Sequence, residues 1–261
     1  MSDEELRRAY DAQMREDPPA EFGQRIERSS TIVRVCGRDN TILFSRIATG
    51  DVARVVDEQV QHFGAIGEDV EWKVFAHDVP ASLESELAAC DFEADAPETL
   101  MVSDLTLGDD FSSGPPQCQI RHVASAADVD TYVAVTERAF GTKSPTSALA
   151  FATRFLRDEP ETIGYLVTCA GRAVGVGRLD LPHGRSFASI WSGGTDPDFR
   201  QRGFYRALVL LRARVARDRG YRYLTVDARE TSRPILERLG FRALTTVTAW
   251  HWRADRQATF Q

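Results

Sequence analysis

Lysine is nearly missing from this 261-residue chain: of its 32 basic residues only Lys73 and Lys143 are lysines, the rest being arginine. The arginines are scattered rather than clustered in runs, which gives no footing to a nucleic-acid-binding segment. Long apolar runs are missing too, and none approaches the ~20 residues that a membrane-spanning helix needs. The opening Met1-Ser2-Asp3-Glu4-Glu5 is acidic, whereas a secretory leader starts basic and turns apolar; the expectation is a cytoplasmic protein. Cysteine is sparse. Cys36, Cys90, Cys118 and Cys169 lie 54, 28 and 51 residues apart with no CxxC, so no zinc knuckle or redox dithiol is readable, no metal is expected, and the thiols are expected reduced. Neither GxxxxGK[ST] nor GxGxxG occurs, which excludes the commonest nucleotide-binding loops.

Enough remains for a real core. Hydrophobic residues make up 43% and charged residues 27%, values of a folded chain with one large domain or two modest ones. The net charge of -7 hides an imbalance: residues 1–120 carry 25 acids against 10 bases, residues 121–261 carry 14 against 22. A half at -15 joined to one at +8 points to an anionic partner for the basic half, or to halves that dock on each other.

Hydrophobic periodicity and turn residues divide the chain into short elements. A polar helix over residues 3–16 stops at Pro18-Pro19, and a hairpin follows from 31–36 and 41–45. Asp51 caps a helix with the apolar stripe Val52, Val55, Val56, Val60 and Phe63. Residues 70–76 alternate as a strand, 82–88 form a helix, 99–102 a strand, and 107–116 the best linker. Beyond it come a strand at 119–123, helices at 126–140 and 147–157, and strands at 162–169, 172–181 and 187–195. A long helix from about residue 203 places Phe204, Leu208, Leu211 and Val215 on its buried face, with Gly220 at its end. Strand 221–227, helix 232–239 and strand 241–252 close the chain. The order strand, helix, strand, helix, strand describes both 41–102 and 187–252, which reads as a degenerate internal duplication or as chance agreement of a common α/β order.

Chemistry concentrates in residues 193–208. Strand residues ending in Gly193, Gly194 and Thr195 lead through Pro197 into Arg200-Gln201-Arg202-Gly203-Phe204-Tyr205-Arg206 at a helix start. The first N–H groups of a helix lack intrahelical partners and the dipole there is positive, so this turn is built for an anion, with the arginines adding charged donors.

This segment resembles the pyrophosphate loop of the GNAT acyltransferases, Arg/Gln-x-x-Gly-x-Gly/Ala after a strand ending in proline. Leu239-Gly240-Phe241 is similar to the end of that family's last helix, and loop, helix, strand, helix and Leu-Gly-Phe follow in family order over residues 118–252, about half the chain. The resemblance implies a mixed α+β fold, a mostly antiparallel central sheet with flanking helices, in two related halves. Residues 1–113 would be a degenerate half without the phosphate loop, and 118–261 the N-acetyltransferase domain. It further implies acetyl-CoA bound by Gly193, Gly194, Thr195, Arg200, Gln201, Arg202, Gly203, Phe204, Tyr205 and Arg206, with the Thr195 N–H polarising the thioester carbonyl. An amine acceptor, expected to be a small molecule, would attack the thioester directly, with no nucleic acid or membrane partner. The chain would be a monomer or homodimer.

Two departures stand out. The family's thiolate-protonating tyrosine is Leu236 here, and the loop's closing small residue is Tyr205, whose hydroxyl either serves the phosphates or sulfur or whose ring packs on the neighbouring strand. Asp227, Glu137 and Tyr205 are the catalytic candidates. Asp227 can equally cap the next helix or pair with Arg229, and Glu137 can sit on a solvated helix face. Asp180, His183 and His251 are weaker, while Trp191 and Ser192 shape the cleft. A non-catalytic acyl-CoA-binding sensor is the alternative function.

Overall fold

The computed structural model describes residues 1–254 except 22, 38, 108–117, 142–149, 151–153 and 158–160. The linker expected at 107–116 and the helix expected at 147–157 therefore lie largely outside the described residues. Two units emerge. The first comprises Met1–Met101, Asp227–Arg233 and the chain from Ala243 onward; the second comprises Val102–Val226 and Pro234–Arg242. This division differs from a simple cut near residue 115, because the last strand of the chain pairs with a strand of the first half.

In the first unit α1 (Asp3–Tyr10) begins with a capping box at Ser2 and Glu5, and the helix runs on as a π-helical turn over Asp11–Glu16. Then come β1 (Arg25–Arg28), which the sequence did not announce, β2 (Ile32–Cys36), β3 (Thr41–Ser45), α2 (Val52–Ile66), β4 (Val70–Phe75), α3 (Leu83–Ala89) and the short β5 (Glu93–Ala94). β1, β2 and β3 are antiparallel neighbours, whereas β3 and β4 run parallel and pair only at Thr41↔Glu71 and Ile42↔Trp72. Four members of the α2 stripe are buried, Val52, Val55, Val56 and Phe63 at 2% exposure or less, against Trp72, Leu83, Leu87 and Trp252, while Val60 is half-buried. Burying each such side chain contributes about 1.5–3 kcal/mol.

β6 (Glu98–Asp104) leads into the second unit, which continues with β7 (Cys118–His122), α4 (Ala126–Phe140), β8 (Thr162–Cys169), β9 (Arg172–Asp180), β10 (Phe187–Thr195), α5 (Phe204–Asp218), β11 (Tyr223–Ala228) and α6 (Arg233–Arg238). β7 to β10 form an antiparallel series, and β10 pairs parallel with β11 from Phe187↔Tyr223 to Ser189↔Thr225. Val129, Tyr132 and Val135 of α4 pack with Phe155, Leu166 and Val176. On α5 the buried face differs from the expected stripe. Phe204 and Leu208 are buried, but Leu211 and Val215 are half-buried, and Ala207, Arg212, Ala213 and Ala216 lie inside. An arginine thus occupies the centre of an apolar helix face.

The final strand, β12 (Arg242–Trp252), runs antiparallel to β4 from Val247↔Phe75 to Trp252↔Val70 and also pairs with β5. Both units are mixed, mostly antiparallel sheets with flanking helices, and each contains one strand–helix–parallel strand motif. No helix among the described residues is long and apolar enough to cross a membrane.

Candidate functional site

Two features of β10 prepare a site in the second unit. First, its parallel pairing with β11 ends at Ser189↔Thr225, while the strand continues to Thr195. Second, a bulge interrupts its pairing with β9 between Trp191↔Arg178 and Gly194↔Val176, with Ser192 at φ 50°. Past the bulge, the Asp196 N–H donates to the Val174 carbonyl of β9 at 2.8 Å. Successive N–H groups of a strand face opposite edges, so that of Thr195 faces the side from which β11 has parted.

The paired glycines make room for protein. A Cβ on Gly193 would stand 2.8 Å from Cε2 of Tyr205, and one on Gly194 would stand 2.8 Å from the Ala139 Cβ and 2.9 Å from the Phe140 ring. The Tyr205 ring therefore packs on the strand at the bulge, the contact that one of the two readings of that residue expects.

A loop then carries the chain to α5. Asp196, whose side chain is only 3% exposed, accepts from Nε of Arg138 at 3.0 Å and from Nη2 of Arg172 at 2.9 Å, and caps the short 3-10 turn Pro197–Phe199. Burial pushes its carboxyl up, but the bond from Arg138, the N–H of Asp198 and the charge of Arg172 hold it below the ordinary range. Arg172 and Arg202 stand over the Phe199 ring, at 5.1 and 4.9 Å from its centroid. Asp196, Arg138 and Arg172 escaped the sequence reading. The Asp-Pro-Asp turn was the visible signal for Asp196, whereas the two arginines are brought to it from other elements.

Gln201 and Gly203 both take positive φ, 63° and 82°. At Gly203, the N-cap of α5, left-handed backbone turns the chain into the helix, and no side chain among the described residues caps the first N–H groups. Residues 201–203 and Arg206 are exposed, Phe204 is buried and Tyr205 half-buried. The three arginines do different work. Arg200 is committed to the Ala139 carbonyl at 2.8 Å and the Thr195 carbonyl at 3.3 Å, and so holds the loop to the ends of α4 and β10. Arg202 donates to the Asp198 carbonyl at 3.0 Å. Arg206 is in no ion pair among the described residues and is free to meet an anion.

Beneath the bulge lies Arg212, 1% exposed. It donates to the carbonyls of Leu208 at 3.1 Å, Arg178 at 2.9 Å and Trp191 at 3.3 Å, while Nη2 has no partner among the described residues. Burial lowers its pKa, partly offset by Tyr205, Tyr132 and Tyr165 nearby. Gly177 of β9 admits it, since a Cβ there would lie 2.9 Å from Nη1.

The catalytic candidates part company. Asp227 counts with the first unit, its side chain 3% exposed and its Oδ2 2.8 Å from Nζ of Lys73. Burial alone would pull the Lys73 ammonium down, but the Asp227 charge more than reverses this and raises it. Arg229 donates to Glu98 at 3.2 Å. Glu137 is half-buried on α4, in the same unit as the loop and Tyr205. Arg178 and Asp180 form an ion pair at 3.0 Å, His183 is 83% exposed beside Glu161, and His251 bonds Asp95 in the first unit. The Trp191 indole donates to Ser189. Leu236 is fully buried and supplies no proton.

Residues 129–241 match the model of the acetyltransferase (GNAT) family. No curated protein matches the chain in sequence. Among solved structures it is similar to a GCN5-related N-acetyltransferase from Kribbella flavida, with TM-score 0.67 and 14% identity over 88% of this chain and 89% of that one. It is likewise similar to a GCN5-related N-acetyltransferase from Sphaerobacter thermophilus, with TM-score 0.62 and 16% identity over 97% and 86%. A tandem GNAT protein from the clavulanic acid biosynthesis pathway follows, with TM-score 0.60 and 12% identity over 90% and 85%. At these identities the likeness is one of fold.

Proposed function

We propose that the chain transfers an acetyl group from acetyl-CoA to the amine of a small-molecule acceptor, a reading supported by the match of residues 129–241 to the model of the GNAT acetyltransferase family. The observation that carries this reading is the uncapped start of α5 behind Gly203, next to a β10 edge that has lost its β11 partner. These features suit the two ends of one ligand. The free N–H groups from Gly203 to Arg206, with the Arg202 and Arg206 guanidinium groups, suit a pyrophosphate. The open edge of β10 suits an amide-bearing arm that adds to the strand.

In this reading Thr195 presents its N–H to the thioester carbonyl, where negative charge develops when the amine attacks. The carbon–sulfur bond breaks as the carbon–nitrogen bond forms, the thiolate takes a proton, and the ammonium loses one. Glu137 and Tyr205 stay as the acid–base candidates in the unit that holds the loop. Asp227 is held in an ion pair with Lys73 and counts with the other unit. The buried Leu236 favours one competitor, an acyl-CoA sensor without turnover.

Calorimetry with Gly203→Glu tests the cofactor assignment: acetyl-CoA binding should be lost, and unchanged binding overturns it. Release of the CoA thiol over a panel of amines then separates enzyme from sensor, since binding without release on every amine favours the sensor.

A further inference from the structure

We propose that Cys118 and Cys169 form a covalent modification site, a reversible disulfide across β7 and β8. Cys118↔Cys169 is the first register pair of these antiparallel strands, followed by Gln119↔Thr168 and onward to His122↔Tyr165. The class of that pair can be derived. The Val123 N–H donates to the Gly164 carbonyl at 2.8 Å, so Val123 and Gly164 are a hydrogen-bonded pair. Such pairs alternate along an antiparallel ladder, which makes Cys118 and Cys169, five positions back, a non-hydrogen-bonded pair. In that class the Cα atoms stand about 4.5 Å apart with the side chains drawn together, within the ~4.4–6.8 Å that a disulfide spans. His122 and Tyr165, in the same class of pair, have ring centroids 5.0 Å apart.

Both residues are free thiols and both are half-buried. Burial and the neighbouring thiol push Cys118 up to about 11, against a weaker opposing pull from Arg202, so the Cys118 thiol is protonated at neutral pH. The other cysteines belong to the first unit, Cys36 buried in its core and Cys90 half-buried. A 51-residue separation hid the pair from any motif search.

The oxidant is a small-molecule disulfide such as glutathione disulfide. One cysteine thiolate attacks a glutathione sulfur, forming a mixed disulfide and expelling one glutathione thiolate. The second cysteine then attacks the first cysteine's sulfur, closing the protein disulfide and releasing the second glutathione; both thiol protons end on glutathione. The bond would pin β7 to the hairpin in which Cys169 faces Arg172, the residue that holds Asp196 and stacks on Phe199.

The full chain, equilibrated with glutathione disulfide at slightly alkaline pH, quenched with acid, unfolded and alkylated, gives the test by peptide mass mapping. The expected product has two of four thiols protected and one peptide linking Cys118 to Cys169, two hydrogens lighter than the reduced pair. It melts at a higher temperature, and a dithiol reductant reverses both changes. Cys118→Ser should carry at most a glutathione adduct and no internal link. Full alkylation of Cys118 and Cys169 after the oxidant, or links only to other cysteines or between chains, overturns the proposal.

Discussion

The corner between β3 and α2 and the corner between β10 and α5 have the same plan and opposite chemistry. In each, a strand pairs in parallel with the strand after its helix and then parts from it, past Ile42↔Trp72 in one unit and past Ser189↔Thr225 in the other. In each, a guanidinium only 1% exposed takes a carbonyl just beyond the parting, Arg15 that of Leu43 at 3.0 Å and Arg212 that of Trp191 at 3.3 Å. Arg15 comes from the π-helical turn, lies over Phe75 at 3.8 Å and is paired with Asp78 and Asp11 at 2.6 and 2.8 Å. Burial pulls its pKa down, but those carboxylates more than reverse the effect, whereas Arg212 has no ion-pair partner among the described residues and is lowered. Where β10 carries Gly193-Gly194, β3 carries Leu43-Phe44. Where α5 starts behind an uncapped Gly203, α2 starts at Asp51, a carboxylate engaged by Arg54 at 2.9 Å. A negative charge at a helix start repels an anion, and the start of α5 carries no such charge. The first corner is sealed by its own chain; the second is open.

The largest expected contrast lies in the two buried arginines. Arg15→Met leaves Asp78 without its ion-pair partner and Asp11 with His77 alone, and should cost about 3–5 kcal/mol in denaturant unfolding. Arg212→Met strands only carbonyls and should cost about 1–3 kcal/mol. Equal losses would break the comparison. Gly193→Ala drives a methyl into the Tyr205 ring and should cost about 1–3 kcal/mol. Adding Tyr205→Ala should recover most of that loss in a double-mutant cycle, and strict additivity would show that the ring does not fill the gap.

Acid should act on the open corner through Asp196. Its folded pKa is depressed, so its stabilisation is present above the unfolded value near ~3.9 and is lost as pH falls through the folded one. Asp196→Asn should melt below the parent at neutral pH, and the two melting curves should converge on acidification. The smallest effect on stability belongs to Arg206→Ala, within about 0.5 kcal/mol. It should nonetheless weaken acetyl-CoA and flatten the salt dependence of binding, because Arg206 is exposed and in no ion pair among the described residues. Arg200→Ala, which removes a bond to the Ala139 carbonyl, should instead lower the melting temperature.

Much of the fold was legible because local signals agreed. The α2 stripe, the bounds of α4 at Ala126–Phe140, and the glycine before α5 follow from spacing and capping over a few residues. β1 was not legible, since Arg25-Ile-Glu-Arg28 lacks the alternation of a half-buried strand and exists through its pairing with β2. The expected α5 stripe missed Arg212 because periodicity favours Leu211 and Val215, while the glycine at 177 on another strand lets the guanidinium in.

The sequence by itself determined the anion-ready turn from Arg200 to Arg206, since a glycine that tolerates left-handed backbone and a helix start act within a few residues of each other. Tertiary structure alone decided which arginine is free, that Asp196 anchors the loop, that Tyr205 fills the gap at Gly193, and that Cys118 faces Cys169. Each of these depends on residues distant in the chain meeting at one strand edge, and a meeting of that kind leaves no trace in local spacing. The scarcity of lysine bears on neither corner; what separates them is where the arginines found their partners.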